Sequence, residues 1–382
     1  MSYTVHRGAN VFTSHNFTMV TPARPDQLQE LNAIGGAAHC LDWVIDGMPG
    51  TRPQAAPRST GTLYEQMIAM GLSEAAAQAA VQAAESAGQQ FSQGSSTDSL
   101  PADKLDAARE EALDVAISVY NGRTTVSDLV SHAGSDATRH RFEHSYRGAF
   151  STAGLETVDL VDRFPVLRGV FGYSRDASSG QSRLVMFRGR RGAYRVYADR
   201  TETEALFIRL DPVRVASWLH GRGLLPTCPS TAQDARLAIL GAAEIPQRGD
   251  EVLQPTTGSA VLTLLHSVSH RLIRAAAVYA GIDRDALSEY LVPRHLGAFV
   301  YAGSRGDFVL GGLQAVFEHD LDELLDAMVF GESRCPLDPG CRRASGACPA
   351  CLHLGEPSCS YYNLFLDRGA LFGADGYFGR LV

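Results

Sequence analysis

CPLDPGCRRASGACPACLHLGEPSC, residues 335–359, contains five of the seven cysteines of a 382-residue chain. Two thiolates separated by two residues, as in Cys348-Pro-Ala-Cys351, can reach one tetrahedral zinc ion from a tight turn. Clustered cysteines in a chain without a recognisable export signal indicate metal binding rather than disulfides. The segment therefore predicts a zinc site near the C-terminus.

The choice of ligands is open from spacing alone. Zinc takes four ligands, so one of the five cysteines is surplus, or His353 replaces one of them. The favoured set is Cys341, Cys348, Cys351 and Cys359. The main alternative has Cys335 in place of Cys341. A closed set of four sulfurs leaves no coordination position for water or substrate, so we interpret this cofactor as a structural zinc.

Upstream of the cysteines, the sequence changes character near Leu155. Residues 1–150 contain helical patterns and loops, with a linker near 88–101 that is rich in Gln, Ser and Gly. After that point, short segments rich in β-branched and aromatic residues alternate with helical patterns. The sequence predicts an α+β chain. A mostly helical N-terminal region (1–150) precedes a mixed α/β domain (151–382), which ends in the four-cysteine zinc site.

His266 and His270 lie four residues apart in the best predicted helix, residues 259–280, so both imidazoles lie on one helix face. Histidines at this spacing bind zinc in H-E-x-x-H proteins, but the glutamate of that motif is replaced here by a serine. We therefore favour histidines that form hydrogen bonds at a buried helix–sheet or interdomain contact. The alternative is a metal or acid–base site with Glu289, from a helix predicted around 283–290, as the third group.

Composition excludes one class of function. Lys104, in PADKLDA, is the only lysine of the chain. A Walker A loop needs a lysine after a glycine-rich turn, so the chain is not a P-loop ATPase or helicase motor. The net charge of −8 argues against DNA binding by this chain alone, although four arginines form a basic cluster over 188–195. No apolar run is long enough for a membrane helix and the N-terminus lacks the form of a signal peptide, so we expect a cytoplasmic protein with no membrane partner.

Several motifs follow one another in a recognisable order. They are LHSVSHRLIRA, LSEYLVP, FVYAGSRGDFVLGGLQAV, CPLDPGC, CPACLHLGEPSC and NLFLDRGALFG. This order resembles the DUF1998 family, which includes DrmB-like, helicase-associated zinc-binding proteins of phage-defence systems. It is also similar to the C-terminal region of MrfA-type helicases. The resemblance covers residues 158–372.

The resemblance implies a cofactor, a partner and a task. It implies a zinc held by Cys341, Cys348, Cys351 and Cys359, with Cys335 as a neighbouring cysteine of the family. It implies a non-catalytic accessory subunit beside a separately encoded superfamily 2 helicase, with DNA engaged through the complex in antiphage defence. The competing hypothesis is an enzyme, a hydrolase or nuclease that uses His266 and His270 together with Glu289 or Asp307.

Overall fold

A computed structural model of the protein describes most of the chain. The described residues are 13–54, 100–176, 182–303, 310–331, 333–344, 346–355 and 358–379, together with Ser73, Glu74, Ala76, Gln78 and Thr97. The predicted linker near 88–101 lies outside this part of the chain, apart from Thr97, Leu100 and Pro101.

The described residues form a mixture of helices and strands, and the predicted fold class is confirmed. The strands are β1 (Thr13–Val20), β2 (Leu155–Asp176), β3 (Ser182–Met186), β4 (Tyr197–Leu210), β5 (Leu287–Val292) and β6 (Gly297–Ala302). The α-helices are α1 (Pro25–Ala33), α2 (Gly36–Ile45), α3 (Ala102–Ser118), α4 (Val126–Ser131), α5 (Asp136–His140), α6 (Tyr146–Ala153), α7 (Pro212–Gly221), α8 (Ala232–Ala242), α9 (Thr257–Tyr279), α10 (Gly312–His319), α11 (Leu321–Phe330), α12 (Gly340–Ala344) and α13 (Arg368–Leu371).

The strands form one antiparallel sheet. Its order is β1-β2-β4-β6-β5, and β3 pairs with the second half of β2. Strand β2 is 22 residues long and pairs with three other strands. Because β1 pairs with β2, the N-terminal region contributes a strand to the sheet as well as helices.

Side chains alternate across the sheet and build a core on each face. On β4, Leu206 and Ile208 join a core with α6 to α11 and the cysteine segment. Their neighbours Ala205 and Phe207 join a second core with α1, α2 and α3. This period of two follows from the strand pleat. The sheet is therefore covered by helices on both faces, and α9 lies on the face that carries the cysteines.

Helix α9 is the longest helix of the first core. Thr256 caps its N-terminus in a capping box with Ser259, and the chain leaves the helix through Gly281, whose φ is +64°. The predicted helix over 259–280 is therefore confirmed within two residues. Most of α9 is buried, including His266 and His270. In the described part of the chain, neither α9 nor any other helix combines the length and apolar character needed to cross a membrane.

The helix predicted around 283–290 is wrong. Arg284–Ala286 forms a single 3-10 turn, and Leu287–Val292 is strand β5, paired antiparallel with β6. The reason is tertiary, because both faces of β5 are covered and pairing with β6 overrides local preference. This difference matters for the site, since it places Glu289 on the sheet next to α9.

Candidate metal centre

Four cysteines meet in the segment between α11 and α13. The Sγ atoms of Cys335, Cys341, Cys348 and Cys351 all lie within 4.8 Å of one another. We call this group the cysteine cluster. Its Sγ–Sγ distances are 3.4 Å for Cys335–Cys348 and 3.7 Å for both Cys341–Cys351 and Cys348–Cys351. Metal–sulfur bonds of about 2.3 Å in a tetrahedron require sulfur atoms about 3.8 Å apart, so the cluster could hold one metal ion.

The Cys348-Pro-Ala-Cys351 turn is held by short-range hydrogen bonds. Cys351 N donates to Cys348 O at 3.0 Å, and Cys348 N donates to Cys351 Sγ at 3.3 Å. Burial alone would raise the pKa of the Cys348 thiol, but hydrogen bonds with the Cys335 thiol and the Ala350 backbone lower it to about 7. Burial raises the pKa of the neighbouring Cys341 and Cys351 thiols, so Cys348 is the thiol of these three that ionises most readily.

The cysteine cluster differs from the set that the sequence favoured. It contains Cys335 together with Cys341, and it leaves out Cys359. The turn that carries Cys335 is fixed from a distance, because Arg368 donates two hydrogen bonds to the Asp338 carboxylate at 2.8 and 2.6 Å. Ligand spacing alone does not reveal such a tertiary contact, and this is why the favoured set differs at one position.

Cys359 instead lies beside His266, His270 and Glu289. One candidate ligand atom from each of the four lies within 4.8 Å of the others. We call this group the histidine tetrad. His266 Nε2 is 3.0 Å from Glu289 Oε1 and 3.3 Å from Cys359 Sγ. His270 Nε2 is 3.4 Å from Glu289 Oε1.

The two histidines are buried at a helix–sheet contact, as predicted. The side chains of His266, His270 and Glu289 have 0% exposure. His266 Nδ1 lies 3.2 Å from Phe365 O, and His270 Nδ1 lies 2.8 Å from Leu352 O. Burial by itself raises the pKa of the Glu289 carboxyl, but His266 and His270 outweigh burial and hold it well below its usual range.

Sequence reasoning missed the association of Cys359 with the histidines. Two signals pointed towards it. Five cysteines are one more than a single zinc ion binds, and two histidines at helical spacing supply only two of the four ligands that zinc needs. His353, considered as a replacement ligand, belongs to neither group.

Comparisons with known proteins assign no function to these two groups. No protein-family model matches the chain, and no curated protein matches it. The candidate sites therefore stand on the geometry of the chain itself, and the family resemblance stays a prediction.

Proposed function

We propose that the chain is a zinc-stabilised accessory subunit, without a motor of its own, that partners a superfamily 2 helicase in the cytoplasm. In this proposal it assists the helicase in engaging DNA during antiphage defence. The observation that carries the proposal is the cysteine cluster, which lies within the motif order that resembles the DUF1998 family. We assign zinc to the cluster because four thiolates at tetrahedral spacing are a typical structural zinc site.

Apolar side chains near the metal groups support a protein partner. Leu337, Tyr362 and Leu364 have exposed fractions of 57%, 62% and 47%. Tyr362 and Leu364 lie three and five residues after Cys359, and Leu337 lies two residues after Cys335. Large exposed apolar side chains on an ordered segment are typical of protein interaction sites. This surface is where we expect the helicase to dock.

A basic hairpin supports DNA engagement. Residues 183–200 contain six arginines and one acidic residue, and we call this segment the arginine hairpin. Its turn is held by a hydrogen bond from Arg195 N to Phe187 O at 2.9 Å. Tyr194 and Tyr197 are exposed by 64% and 57%. Arginines interleaved with exposed aromatic rings suit phosphate contacts and base stacking.

The competing hydrolase or nuclease has one observation in its favour. His266, His270 and Glu289 do meet in space. Their side chains, however, have no exposed surface through which a nucleic acid could reach them. A group without exposed surface is more typical of a structural site, so we prefer the accessory subunit. Asp307, the other candidate for the third group, lies outside the part of the chain that the structure describes.

Copurification tests the proposal. The chain should copurify with a helicase encoded in the same locus, and the pair should bind DNA more tightly than the helicase alone. Arg188→Ala/Arg190→Ala in the arginine hairpin should weaken DNA binding by the pair. Two lost phosphate contacts should reduce the slope of log K against log salt by about 1.8 on duplex DNA.

A matched control removes the same charge elsewhere. Arg139→Ala/Arg147→Ala alters two exposed arginines on α5 and α6 and should leave the salt slope unchanged. Equal DNA affinity for the pair and for the helicase alone would overturn the DNA-holding role. Absence of a stable complex would overturn the partnership.

A further inference from the structure

The histidine tetrad joins three segments that are distant along the chain. His266 and His270 come from α9, Glu289 from β5, and Cys359 from the loop that precedes α13. We propose that this tetrad binds a second zinc ion, separate from the ion of the cysteine cluster. The proposal concerns a different site from the one that carries the proposed function, and it does not depend on the helicase partnership.

The separations within the tetrad suit one small tetrahedral ion. Zinc bonds of about 2.0 Å to nitrogen and oxygen and about 2.3 Å to sulfur require ligand atoms about 3.3–3.6 Å apart. The observed distances from His266 Nε2 are 3.0 Å to Glu289 Oε1 and 3.3 Å to Cys359 Sγ. His270 Nε2 is 3.4 Å from the same carboxylate oxygen. These three separations are close to the required spacing, and all four ligand atoms lie within 4.8 Å of one another.

The hydrogen bonds of the imidazoles direct their lone pairs at that centre. A backbone carbonyl can only accept a hydrogen bond, so Nδ1 of each ring must carry the proton that it donates to Phe365 O or Leu352 O. In a neutral ring this leaves Nε2 as a bare lone pair. Both Nε2 atoms then face Glu289 Oε1, which is itself an acceptor. A cation at the centre would accept the lone pairs of both Nε2 atoms and of Glu289 Oε1.

The other two ligands have the outer contacts that metal ligands need. Ser269 Oγ donates to Glu289 Oε2, and Ser360 N donates to Glu289 Oε1 at 3.3 Å. Cys359 Sγ accepts hydrogen bonds from Tyr361 N at 3.4 Å and Asn363 N at 3.2 Å. Such contacts orient first-shell ligands and stabilise a thiolate.

The donor set favours zinc, and the closed geometry favours a structural role. Two imidazoles, a carboxylate and a thiolate are all ligands that zinc accepts, and together they fill its four positions. A cavity of about 380 Å³, bordered by Arg248, Tyr290 and Ser360, reaches Glu289 from one side. Because the Glu289 side chain has no exposed surface, an ion that entered from this cavity would need local opening around β5.

A metal-free ion pair is the competing explanation. One imidazolium beside Glu289 would satisfy the charge, but the 3.4 Å contact of His270 Nε2 with Glu289 Oε1 lacks the geometry of a hydrogen bond. Two imidazolium rings would repel each other, because the ring centroids of His266 and His270 are 4.3 Å apart. A shared ion satisfies both rings at once.

Metal analysis of the full chain tests the proposal. After equilibration with Zn²⁺ and removal of unbound ions, the wild-type chain should contain two zinc ions. X-ray absorption at the zinc edge should then show a first shell averaged over five sulfur and three nitrogen or oxygen ligands. One zinc ion with an all-sulfur shell would overturn the proposal, and this measurement requires no variant.

Conservative variants identify the ligands. Cys359→Ser and Glu289→Gln should each reduce the content from two zinc ions to one and leave an all-sulfur shell. Cys228→Ser, which alters an exposed free cysteine, should keep both ions. Two ions retained in both ligand variants would overturn the assignment of the tetrad.

Discussion

The cysteine cluster and the histidine tetrad are both four-residue groups on the same face of the sheet, but they are assembled differently. The cluster draws all its residues from 335–351, and two of its cysteines are only half-buried. The tetrad spans residues 266–359, and all four of its residues are buried. A local metal site orders its own loop, whereas a site built from distant segments fastens elements that have already folded. The first kind can be recognised in a sequence, and the second requires the fold.

The largest effect should follow from breaking the cysteine cluster. In zinc-finger peptides the apparent free energy of zinc binding is about 10–16 kcal/mol. The described residues between α11 and α13 add only Ala347, Leu352, Leu354 and Leu366 to the buried members of the first core. Cys348→Ser/Cys351→Ser should therefore lose the cluster's zinc and unfold the C-terminal segment. Limited proteolysis should cut this variant first between α11 and α13, while Cys228→Ser resists like the wild type. A protected segment in the double variant would contradict a structural role.

Breaking the tetrad should have a smaller effect on stability. His270→Ala leaves the Glu289 carboxylate buried without one of its partners, which costs about 3–5 kcal/mol. Chemical denaturation should show this loss, and the variant should still retain the zinc ion of the cysteine cluster. The matched control is His319→Ala, because that side chain is 71% exposed. An unchanged denaturation midpoint in His270→Ala would show that the tetrad does not fasten α9 to the sheet.

A subtler change separates metal affinity from packing. Ser269 bonds the Glu289 carboxylate, whereas Ser267, two positions earlier on α9, accepts a hydrogen bond from Asp367 N at 3.0 Å. Ser269→Ala should weaken the second zinc ion by about 10- to 100-fold, as loss of an outer-shell partner does. Competition with a chromogenic chelator measures this affinity. Ser267→Ala should leave it unchanged, and equal affinities for the two variants would contradict the orienting role of Ser269.

The smallest effect concerns the contact between the two sites. Arg274, one turn beyond His270 on α9, donates to Ala350 O at 3.2 Å and to His353 O at 3.5 Å. Arg274→Gln removes these bonds and should cost about 1 kcal/mol of unfolding free energy. Both zinc ions should remain bound. Loss of either ion would show that the two sites depend on each other more strongly than these bonds indicate.

Much of the architecture could be predicted from the sequence. Helix α9 has strong apolar periodicity and clear capping signals, and the Cys348–Cys351 spacing marks a metal ligand pair. Both patterns are formed by residues close together in the sequence, so they can be recognised without knowledge of the tertiary structure. Strand β5 could not be recognised, because its burial on both faces hides the alternation that identifies a half-exposed strand.

Of the two partners of the histidines, Glu289 was named as a possible third group without a signal that brought it near, and Cys359 was missed. Glu289 meets α9 only through the pairing of β5 with β6, and Cys359 arrives through the backbone bond from Glu289 N to Ser358 O at 3.1 Å. Neither contact produces a periodic pattern in the sequence. The fourth position of the cysteine cluster was ambiguous because spacing alone allows several loops to close around one ion.

The passage of β4 from the interior to solvent has a mechanical consequence. Residues 203–210 of this strand are buried, whereas residues 197–202 are largely exposed. Its ladder with β2 extends from the pair Leu155–Leu210 to the pair Val170–Tyr197. A pull on the turn of the arginine hairpin moves β2 and β4 in the same direction, so it loads the neighbouring ladders β1–β2 and β4–β6 in shear. Under the proposed function, such an arm would resist a pull on DNA bound to the arginine hairpin.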